Sequence, residues 1–386
     1  MKNYDLIWSA LKNAEYGSLK VILPDGLERH FEGKNLGPKA DIAIKDNELI
    51  NAVISGGDVA FGEAYIEGLW DSSDLSELLT FLTLNSHALE EFFHARKFKS
   101  FILFLSSFLT KNTKRGSKKN ISAHYDLGNN FYELWLDETM TYSSAIFNDK
   151  TSFLKEAQQA KYQNILSKLK LETVLEIGCG WGGFAEVAAK IGKKVTCLTI
   201  SSRQQEYAFQ RIKKQNLDHL VKIKLQDYRE EKGVYDNVVS IEMFEAVGQE
   251  YWNKFFQVTK SSLKSGGKAI LQIITIDEQV FKDYKNRVDF IQKHIFPGGV
   301  LPSKTAIREL AKSHGFKIND EFCFGQDYSK TLTIWLKNFD AKYDQIKSLG
   351  FSDEFIRKWR FYLCYCIAGF NSKRTDVVQF ELEKIL

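Results

Sequence analysis

The 386-residue chain is poor in residues that mark unstructured or disulfide-bonded proteins. It has only four prolines, which argues against a long disordered linker. Its five cysteines are an odd number and form no Cys-x-x-Cys pair. We therefore expect reduced thiols in a cytosolic protein, and we predict no metal site. The rest of the composition is that of an ordinary globular protein, and the chain is long enough for two or three domains.

Long apolar runs are also missing. The longest strongly apolar stretch is Phe101–Leu109, far short of the ~20 residues that a membrane-spanning helix needs. The first 17 residues contain no apolar core of a signal peptide. The sequence therefore predicts a protein that does not cross a membrane, although it can lie on one.

The net charge is small, 53 − 49 = +4, but it is concentrated in one place. Between Arg96 and Lys119 there are eight basic residues and no acid, which leaves 45 basic against 49 acidic residues elsewhere. Phenylalanines lie between the two basic clusters, as in a segment that binds an anionic membrane surface. A solvated helix followed by a linker, or an RNA-binding arm, would also fit this pattern.

The order of predicted elements indicates an α/β protein. Residues 1–92 read as a small α+β domain, residues 93–120 as a basic, Phe-rich linker, and residues 121–386 as the catalytic domain. Strands alternate with helices from residue 173 to residue 276, which predicts a parallel sheet with its ligand at the carboxyl ends of the strands. Residues 277–312 interrupt the alternation and are predicted to cover that edge. Further strands are expected near 316–323 and 331–336, followed by helices to the end.

A glycine-rich turn follows the first strand of this region. Gly178, Gly180 and Gly182 allow a tight turn and a close approach of the backbone to a ligand. Glu176 stands just before them, in an E-x-G-x-G pattern that resembles motif I of class I S-adenosylmethionine-dependent methyltransferases. A dinucleotide-binding turn would instead read G-x-G-x-x-G.

The ends of the next two strands supply the other candidate cofactor contacts. Thr199 and Gln204 are the polar groups after the second strand, where many of these methyltransferases have an acid. After the third strand, Asp227 and Tyr228 would lie beside the adenine, one bonding its amine and the other packing on the ring. Asp227 could equally be a helix cap.

Long motifs give the chain a specific resemblance. It resembles the cyclopropane-fatty-acid-phospholipid synthases over nearly its whole length, in motifs at 122–136, 140–147, 240–248, 295–303, 327–332, 368–370 and 376–379. The resemblance implies a Rossmann-like, mostly parallel sheet of seven strands, with the N-terminal domain of the longer bacterial members. It also implies a phospholipid bilayer as partner, no nucleic acid, and a cytoplasmic protein bound peripherally to the inner face of the membrane. A homodimer is left open.

The resemblance further implies the chemistry. A cis double bond of an acyl chain attacks the methyl group of S-adenosylmethionine, and a bound bicarbonate ion removes a proton so that a cyclopropane ring closes. By residue-for-residue match, Glu245 holds that ion and helps to accept the proton, Tyr328 donates a hydrogen bond to it, and the backbone of Ile274 contacts it. Tyr125 and Tyr142 match tyrosines near the amino-acid end of the cofactor.

Two positions depart from the best-known members of that family. Ser144 stands where a cysteine is usual, and Gln272 stands where a histidine is usual on the fifth strand. Glutamine can donate and accept hydrogen bonds but cannot titrate. The proton path must therefore differ, and a methyl- or methylene-branched chain becomes an alternative product. A small-molecule N-methyltransferase is a further alternative, which the N-terminal domain and the basic segment argue against.

Overall fold

The computed structural model describes residues 2–89, 127–149, 151 and 153–385. The described chain forms two compact units. One contains residues 2–89, 283–295 and 332–374, and the other contains residues 127–282, 296–331 and 375–385. This differs from the predicted single domain over 121–386, because two later segments group with the N-terminal residues. The predicted linker at 93–120 lies outside the described residues.

The described elements run as follows in chain order. The helices are α1 (Lys2–Leu11), α2 (Glu48–Ile66), α3 (Leu75–Leu84), α4 (Asn129–Glu133), α5 (Leu154–Lys168), α6 (Gly183–Lys190), α7 (Ser202–Lys214), α8 (Trp252–Ser261), α9 (Glu278–Tyr284), α10 (Phe290–His294), α11 (Lys304–Ser313), α12 (Gly325–Ala341), α13 (Tyr343–Ser348) and α14 (Asp353–Asn371). The strands are β1 (Tyr16–Ile22), β2 (Glu28–Glu32), β3 (Asn35–Ile44), β4 (Trp70–Asp71), β5 (Thr173–Ile177), β6 (Lys194–Thr199), β7 (Val221–Leu225), β8 (Tyr235–Ile241), β9 (Leu263–Ile276), β10 (Phe316–Cys323) and β11 (Thr375–Lys384). None of the helices in this part of the chain is long and apolar enough to span a bilayer.

The first unit is built on a four-stranded sheet in the order β2-β1-β3-β4. A Pro-Asp-Gly turn joins β1 to β2, and Gly26 adopts the positive φ of +84° that this turn requires. Helix α3 begins at the capping residue Asp74, whose Oδ1 accepts the N–H groups of Ser76 and Glu77, both at 3.0 Å. Helix α14 packs against α2 and α3. These apolar contacts place residues 353–371 in this unit.

The second unit is built on a seven-stranded sheet in the order β10-β11-β9-β8-β5-β6-β7. Strands β7, β6, β5, β8 and β9 are mutually parallel, and β11 runs antiparallel to both of its neighbours. The predicted Rossmann-like sheet of seven strands is confirmed. Along its interior strands, successive side chains point alternately into two apolar clusters, one on each face of the sheet. Leu175 and Leu271 lie in one cluster, and Val174 and Ile270 lie in the other.

Two predicted elements near the C-terminus are wrong. Residues 331–336 belong to helix α12, not to a strand. A short apolar run rich in β-branched and aromatic residues does not distinguish the two by its pattern. The chain also ends in strand β11 rather than in a helix. This strand is inserted between β9 and β10, so that it is buried on both faces and lacks the alternation of an exposed strand.

Candidate active site

The glycine-rich turn connects β5 to α6 at the carboxyl edge of the large sheet. Gly178, Gly180 and Gly182 have φ values of +83°, +51° and +81°, in the left-handed region that favours glycine. A Cβ on Gly178 would meet Met243 Cγ at 2.7 Å. A Cβ on Gly180 would have no atom of the described chain within 4 Å. The turn thus packs closely on one side and leaves open space at its centre, as a ligand-binding backbone does.

Glu176 lies just before this turn and is buried. Its Oε2 is 3.4 Å from the Sγ of Cys197, on the neighbouring strand β6. Burial raises the pKa of the Glu176 carboxyl to about 8, against the opposing effects of the Cys197 hydrogen bond and of the positive charges of Arg211 and Lys161. The carboxyl is therefore largely neutral near pH 7 without a positively charged ligand beside it.

The end of β6 carries the polar pair predicted to face the cofactor. The hydroxyl of Thr199 donates to Oε1 of Gln204 at 3.1 Å, and it accepts the N–H of Ser201 at 3.2 Å. Both predicted residues are buried. The hydrogen bonds hold the loop between β6 and α7 in place, so the two side chains lie together at the carboxyl edge.

The end of β7 differs in part from the sequence prediction. The carboxylate of Asp227 caps a 3-10 turn at residues 228–230 and forms a two-point pair with Arg229, at 2.8 and 2.6 Å. It therefore takes the capping role that the sequence left open, and its oxygens are engaged by Arg229 rather than facing outward. The Tyr228 hydroxyl, by contrast, is buried without a hydrogen-bond partner among the described residues.

Tyr142 belongs to an aromatic cluster next to the glycine turn. Its ring lies 5.6 Å from that of Tyr132 and 5.5 Å from that of Trp135. Tyr132 also contacts Trp181, a residue of the turn itself, at a centroid distance of 5.0 Å. The cluster thus joins the segment around Tyr142 to the turn. Tyr125, the other predicted tyrosine, lies outside the described residues.

A carboxylate that sequence analysis did not single out is at the centre of the catalytic constellation. Glu242 follows the last residue of β8, and its side chain accepts three hydrogen bonds. Its Oε1 accepts the backbone N–H of Ser144 at 2.8 Å and Nε2 of Gln272 at 2.7 Å. Its Oε2 accepts the hydroxyl of Tyr328 at 2.6 Å. Three predicted residues therefore meet at one carboxylate.

The backbone of Glu242 is unusual as well. Its φ is +48°, in the left-handed region that a residue with a Cβ rarely adopts and that costs roughly 1–2 kcal/mol. Such strain persists only where the surroundings fix it, and it is concentrated at functional sites. Here the three hydrogen bonds fix the side chain, and the N–H of Glu242 donates to the carbonyl of Gln272 at 2.8 Å.

A row of amides behind Gln272 orients its side chain. Gln272 and Gln379 are directly paired across β9 and β11. Nε2 of Gln379 donates to Oε1 of Gln272 at 2.9 Å, and Oε1 of Gln379 accepts Nδ2 of Asn164 at 2.6 Å. Because the Gln272 oxygen is engaged in this way, its NH2 group points at Glu242. Gln379 lies in the motif at 376–379, but only the register of the sheet shows that it contacts Gln272.

Glu245 lies one turn beyond Glu242, in a short 3-10 helix. Its Oε1 accepts the backbone N–H of Ile274, whereas Oε2 has no hydrogen-bond partner within the described part of the chain. Burial and the neighbouring charge of Glu242 raise its pKa to about 8. Its own carbonyl accepts the N–H of Val300 at 2.9 Å, so the loop at 296–302 is attached at this edge.

A buried lysine supplies positive charge to this group of acids. Lys161 on α5 is fully buried, and its Nζ donates to Oγ of Ser143 at 2.6 Å. Burial lowers its pKa to about 7, although the negative charges of Glu242, Asp137 and Glu176 oppose that shift. Burial also raises the pKa of Glu242, and the charge of Lys161 acts in the opposite direction. Nothing in the polar sequence around Lys161 signals this role.

The predicted catalytic residues are thus brought together, but around side chains of the protein itself. Ser144, Gln272 and Tyr328 converge on Glu242, and Ile274 binds Glu245. Of the donors that the family resemblance assigns to bicarbonate, the Tyr328 hydroxyl is already engaged by Glu242 and the Ile274 N–H by Glu245, so these residues do not fit a separate bicarbonate ion. The glycine turn, with open space at Gly180 and an unpartnered Tyr228 hydroxyl, does fit S-adenosylmethionine.

A seven-stranded sheet of this order, with a glycine turn after β5, defines a class I S-adenosylmethionine-dependent methyltransferase. A model of the family described as "Mycolic acid cyclopropane synthetase" matches residues 112–380. The chain belongs to this family and is a methyltransferase of this kind.

Similar proteins agree with that assignment. The tuberculostearic acid methyltransferase UfaA1 of Mycobacterium tuberculosis is 36% identical over 84% of this chain and 78% of its own length. The cyclopropane-fatty-acyl-phospholipid synthase of Escherichia coli K12 is 35% identical over 88% and 87%. The crystal structure of mycolic acid cyclopropane synthase CmaA1, complexed with SAH and CTAB, superposes with a TM-score of 0.65 at 32% identity, covering 69% of this chain and 98% of that one.

Proposed function

We propose that the protein alkylates the cis double bond of unsaturated phospholipid acyl chains and forms cyclopropane fatty acids. The observation that supports this most is the carboxylate pair Glu242 and Glu245 beside the cofactor turn. Alkylation of an alkene leaves a carbocation, which must lose a proton to a positioned base before water reaches it. The similarity to the phospholipid synthase of Escherichia coli, over most of both chains, supports the same substrate class.

The residues of the site divide this task. Bound S-adenosylmethionine supplies an electrophilic methyl group. The backbone of the turn at Gly180 would hold it, with Tyr228 beside the adenine and Tyr142 near the amino-acid end. Glu242, fixed by Ser144, Gln272 and Tyr328, presents its carboxylate at the edge of the sheet. Side chains held in this way need little reorganisation during the reaction, which lowers its barrier.

A methylene-branched chain is the second candidate product. It requires the same methyl transfer and the same loss of a proton, but no ring closes. The product retains one double bond, which now joins the chain to the added carbon. The similarity to a tuberculostearic acid methyltransferase favours it, and so do Ser144 and Gln272 at positions where the family usually has cysteine and histidine. A saturated methyl branch would need a reductant in addition, and we do not propose it as the direct product.

We also propose that the protein works at the inner face of the membrane, on anionic lipid. The support for this is the basic, Phe-rich segment at 93–120, which places eight positive charges around apolar side chains. An enzyme that modifies acyl chains must reach lipids that are already in a bilayer. Peripheral attachment in the cytoplasm would bring the active site to them.

Mass spectrometry of total fatty acids tests the proposed reaction. Cells that express the protein should gain fatty acids heavier by one CH2 group than their unsaturated precursors. Ozonolysis, which cleaves a methylene branch but not a ring, then identifies the product. No heavier fatty acid in cells that contain folded protein and S-adenosylmethionine would contradict the proposal.

A further inference from the structure

The Tyr328 hydroxyl, which the family resemblance assigns to a bicarbonate ion, donates instead to a side-chain carboxylate, and donors from Ser144 and Gln272 converge on the same group. Two oxygens of Glu242 accept a backbone N–H, an amide NH2 and a phenol O–H, at 2.6–2.8 Å. This is the set of contacts that a planar carboxylate ion would make in the same position. Each contact comes from a different segment: the loop before α5, strand β9 and the first turn of α12. We propose that Glu242 replaces the bicarbonate ion and is itself the base that accepts the substrate proton.

The neighbouring acid has a different environment. Glu242 accepts three hydrogen bonds, whereas Glu245 accepts one from Ile274 and has one oxygen unpartnered in the described chain. Two adjacent carboxylates resist being ionised together, and the better-solvated one keeps the charge. The proton therefore resides on Glu245, on the oxygen without a partner, and Glu242 is the carboxylate anion.

One oxygen of Glu242 is better placed than the other to take the proton. Oε1 already accepts two hydrogen bonds, from Ser144 and Gln272, whereas Oε2 accepts only that of Tyr328 among the described residues. A carboxylate oxygen has two lone pairs, so Oε2 retains one. Glu242 as a whole residue is only partly buried.

The proposed step balances for either product and rests on the proposed function. The sulfur–methyl bond breaks and its electron pair stays on sulfur, while the π pair of the alkene forms the first new C–C bond. Glu242 then removes a proton from the transferred methyl group. The released C–H pair closes the cyclopropane ring, or, after a hydride shift, forms the methylene double bond. The proton leaves to water when the product departs, and no oxidant or reductant is needed.

Removing the side chain separates this role from a structural one. In Glu242→Gln, an isosteric amide replaces the base, and we expect turnover on dioleoylphosphatidylglycerol vesicles to fall about 100- to 10,000-fold with unchanged affinity for S-adenosylmethionine. Glu242→Gly relieves the strained φ and leaves a carboxylate-sized gap. Added formate or bicarbonate should raise the turnover of this variant about tenfold or more. Glu381→Gln, which changes a carboxylate outside the site, controls for loss of charge.

Bicarbonate itself provides the opposite test. Wild-type turnover in buffer free of carbon dioxide should not change when bicarbonate is added. The 13C NMR signal of labelled bicarbonate should broaden in the presence of Glu242→Gly, which binds the ion, and not in the presence of the wild type. Any one of three results would overturn the inference: wild-type turnover that depends on bicarbonate, binding of the labelled ion to the wild type, or near-normal turnover of Glu242→Gln. If the wild type alkylates no unsaturated phospholipid, the proposed function fails, but the binding comparison still decides whether Glu242 fills the bicarbonate position.

Discussion

The phenol of Tyr328 donates a 2.6 Å hydrogen bond to Oε2 of Glu242, across 86 positions of sequence. A hydrogen bond to a charged group contributes about 1.5–3 kcal/mol, which corresponds to roughly 10- to 100-fold in rate if the bond is needed in the transition state. This contact also helps to hold down the pKa of Glu242, which burial raises. Its removal should therefore change both the rate of the reaction and its pH dependence.

Tyr328→Phe should lower kcat about 10- to 100-fold and leave the affinity for S-adenosylmethionine unchanged. Because the pKa of Glu242 rises and the base must be ionised, the acidic limb of the kcat profile should move to higher pH. Turnover on lipid vesicles across a pH series measures both effects. Tyr343→Phe removes a phenol bonded to Asp353, outside the site, and should not move the limb. A profile identical to that of the wild type would exclude the contact from catalysis.

Gln379 should act through Gln272 rather than on the substrate. Gln379→Met frees the Gln272 amide to rotate, and Gln272→Met removes the donor to Glu242 directly. Because the two changes break one chain of hydrogen bonds, the double variant should lose little more kcat than the worse single variant. Kinetics of the four proteins, with melting temperatures as a check on folding, measure this coupling. Additive losses would show that the two residues act independently.

Gly180→Val should abolish binding of S-adenosylmethionine. The valine side chain would enter open space that we assign to the cofactor, and the positive φ of +51° adds strain of about 1–2 kcal/mol. Gly192→Val is a matched control, because Gly192 has a φ of +85° and an equally open Cβ position outside the site. Calorimetry should show lost affinity only for the Gly180 variant, although both lose stability. Equal affinities would mean that the cofactor lies elsewhere.

Glu245 should make the protein less stable as pH rises. Its pKa is raised to about 8 in the folded protein, so the folded state holds a proton that the unfolded state releases near its ordinary value of 4.5. This contribution is complete below pH 4.5 and is lost as the pH rises to about 8, at no more than about 1.4 kcal/mol per pH unit. Glu245→Gln should remove this slope. Urea unfolding at several pH values compares the two proteins, and parallel curves would contradict the assignment.

The basic segment should act in membrane binding rather than in chemistry. Neutralising Lys114, Arg115, Lys118 and Lys119 should weaken sedimentation with anionic vesicles more than it lowers turnover on detergent-dispersed lipid. High salt should weaken binding of the wild type in the same way, because the attraction is screened. Equal losses in both assays would argue against anchoring by this segment.

Local patterns in the sequence predicted the alternating, parallel part of the catalytic region, whereas the expectation of a seven-stranded Rossmann-like sheet came from the family resemblance. The strands at 173–177, 221–225 and 235–241 lie in the region where alternating strands and helices were predicted, and each is a short apolar run between turn residues or helical segments. The glycine turn was equally readable, since positive φ angles demand glycine at fixed spacing. The run wrongly predicted as a strand at 331–336 is short and apolar, a pattern that fits a helix equally well, whereas the missed strand β11 lies where burial on both faces removes the periodic pattern.

The arrangement of the active site was decided only by the tertiary structure. The sequence supplied Ser144, Gln272 and Tyr328 as separate candidates, and of these three it assigned only Tyr328 to an external ion. Their common partner, Glu242, lies in the motif at 240–248, where nothing in the sequence sets it apart from Glu245 three positions later. Hydrogen bonds form between atoms within about 3 Å, and only the sheet register and the packing of α12 bring these distant segments that close. The identity of the base therefore depends on the fold, not on the motif.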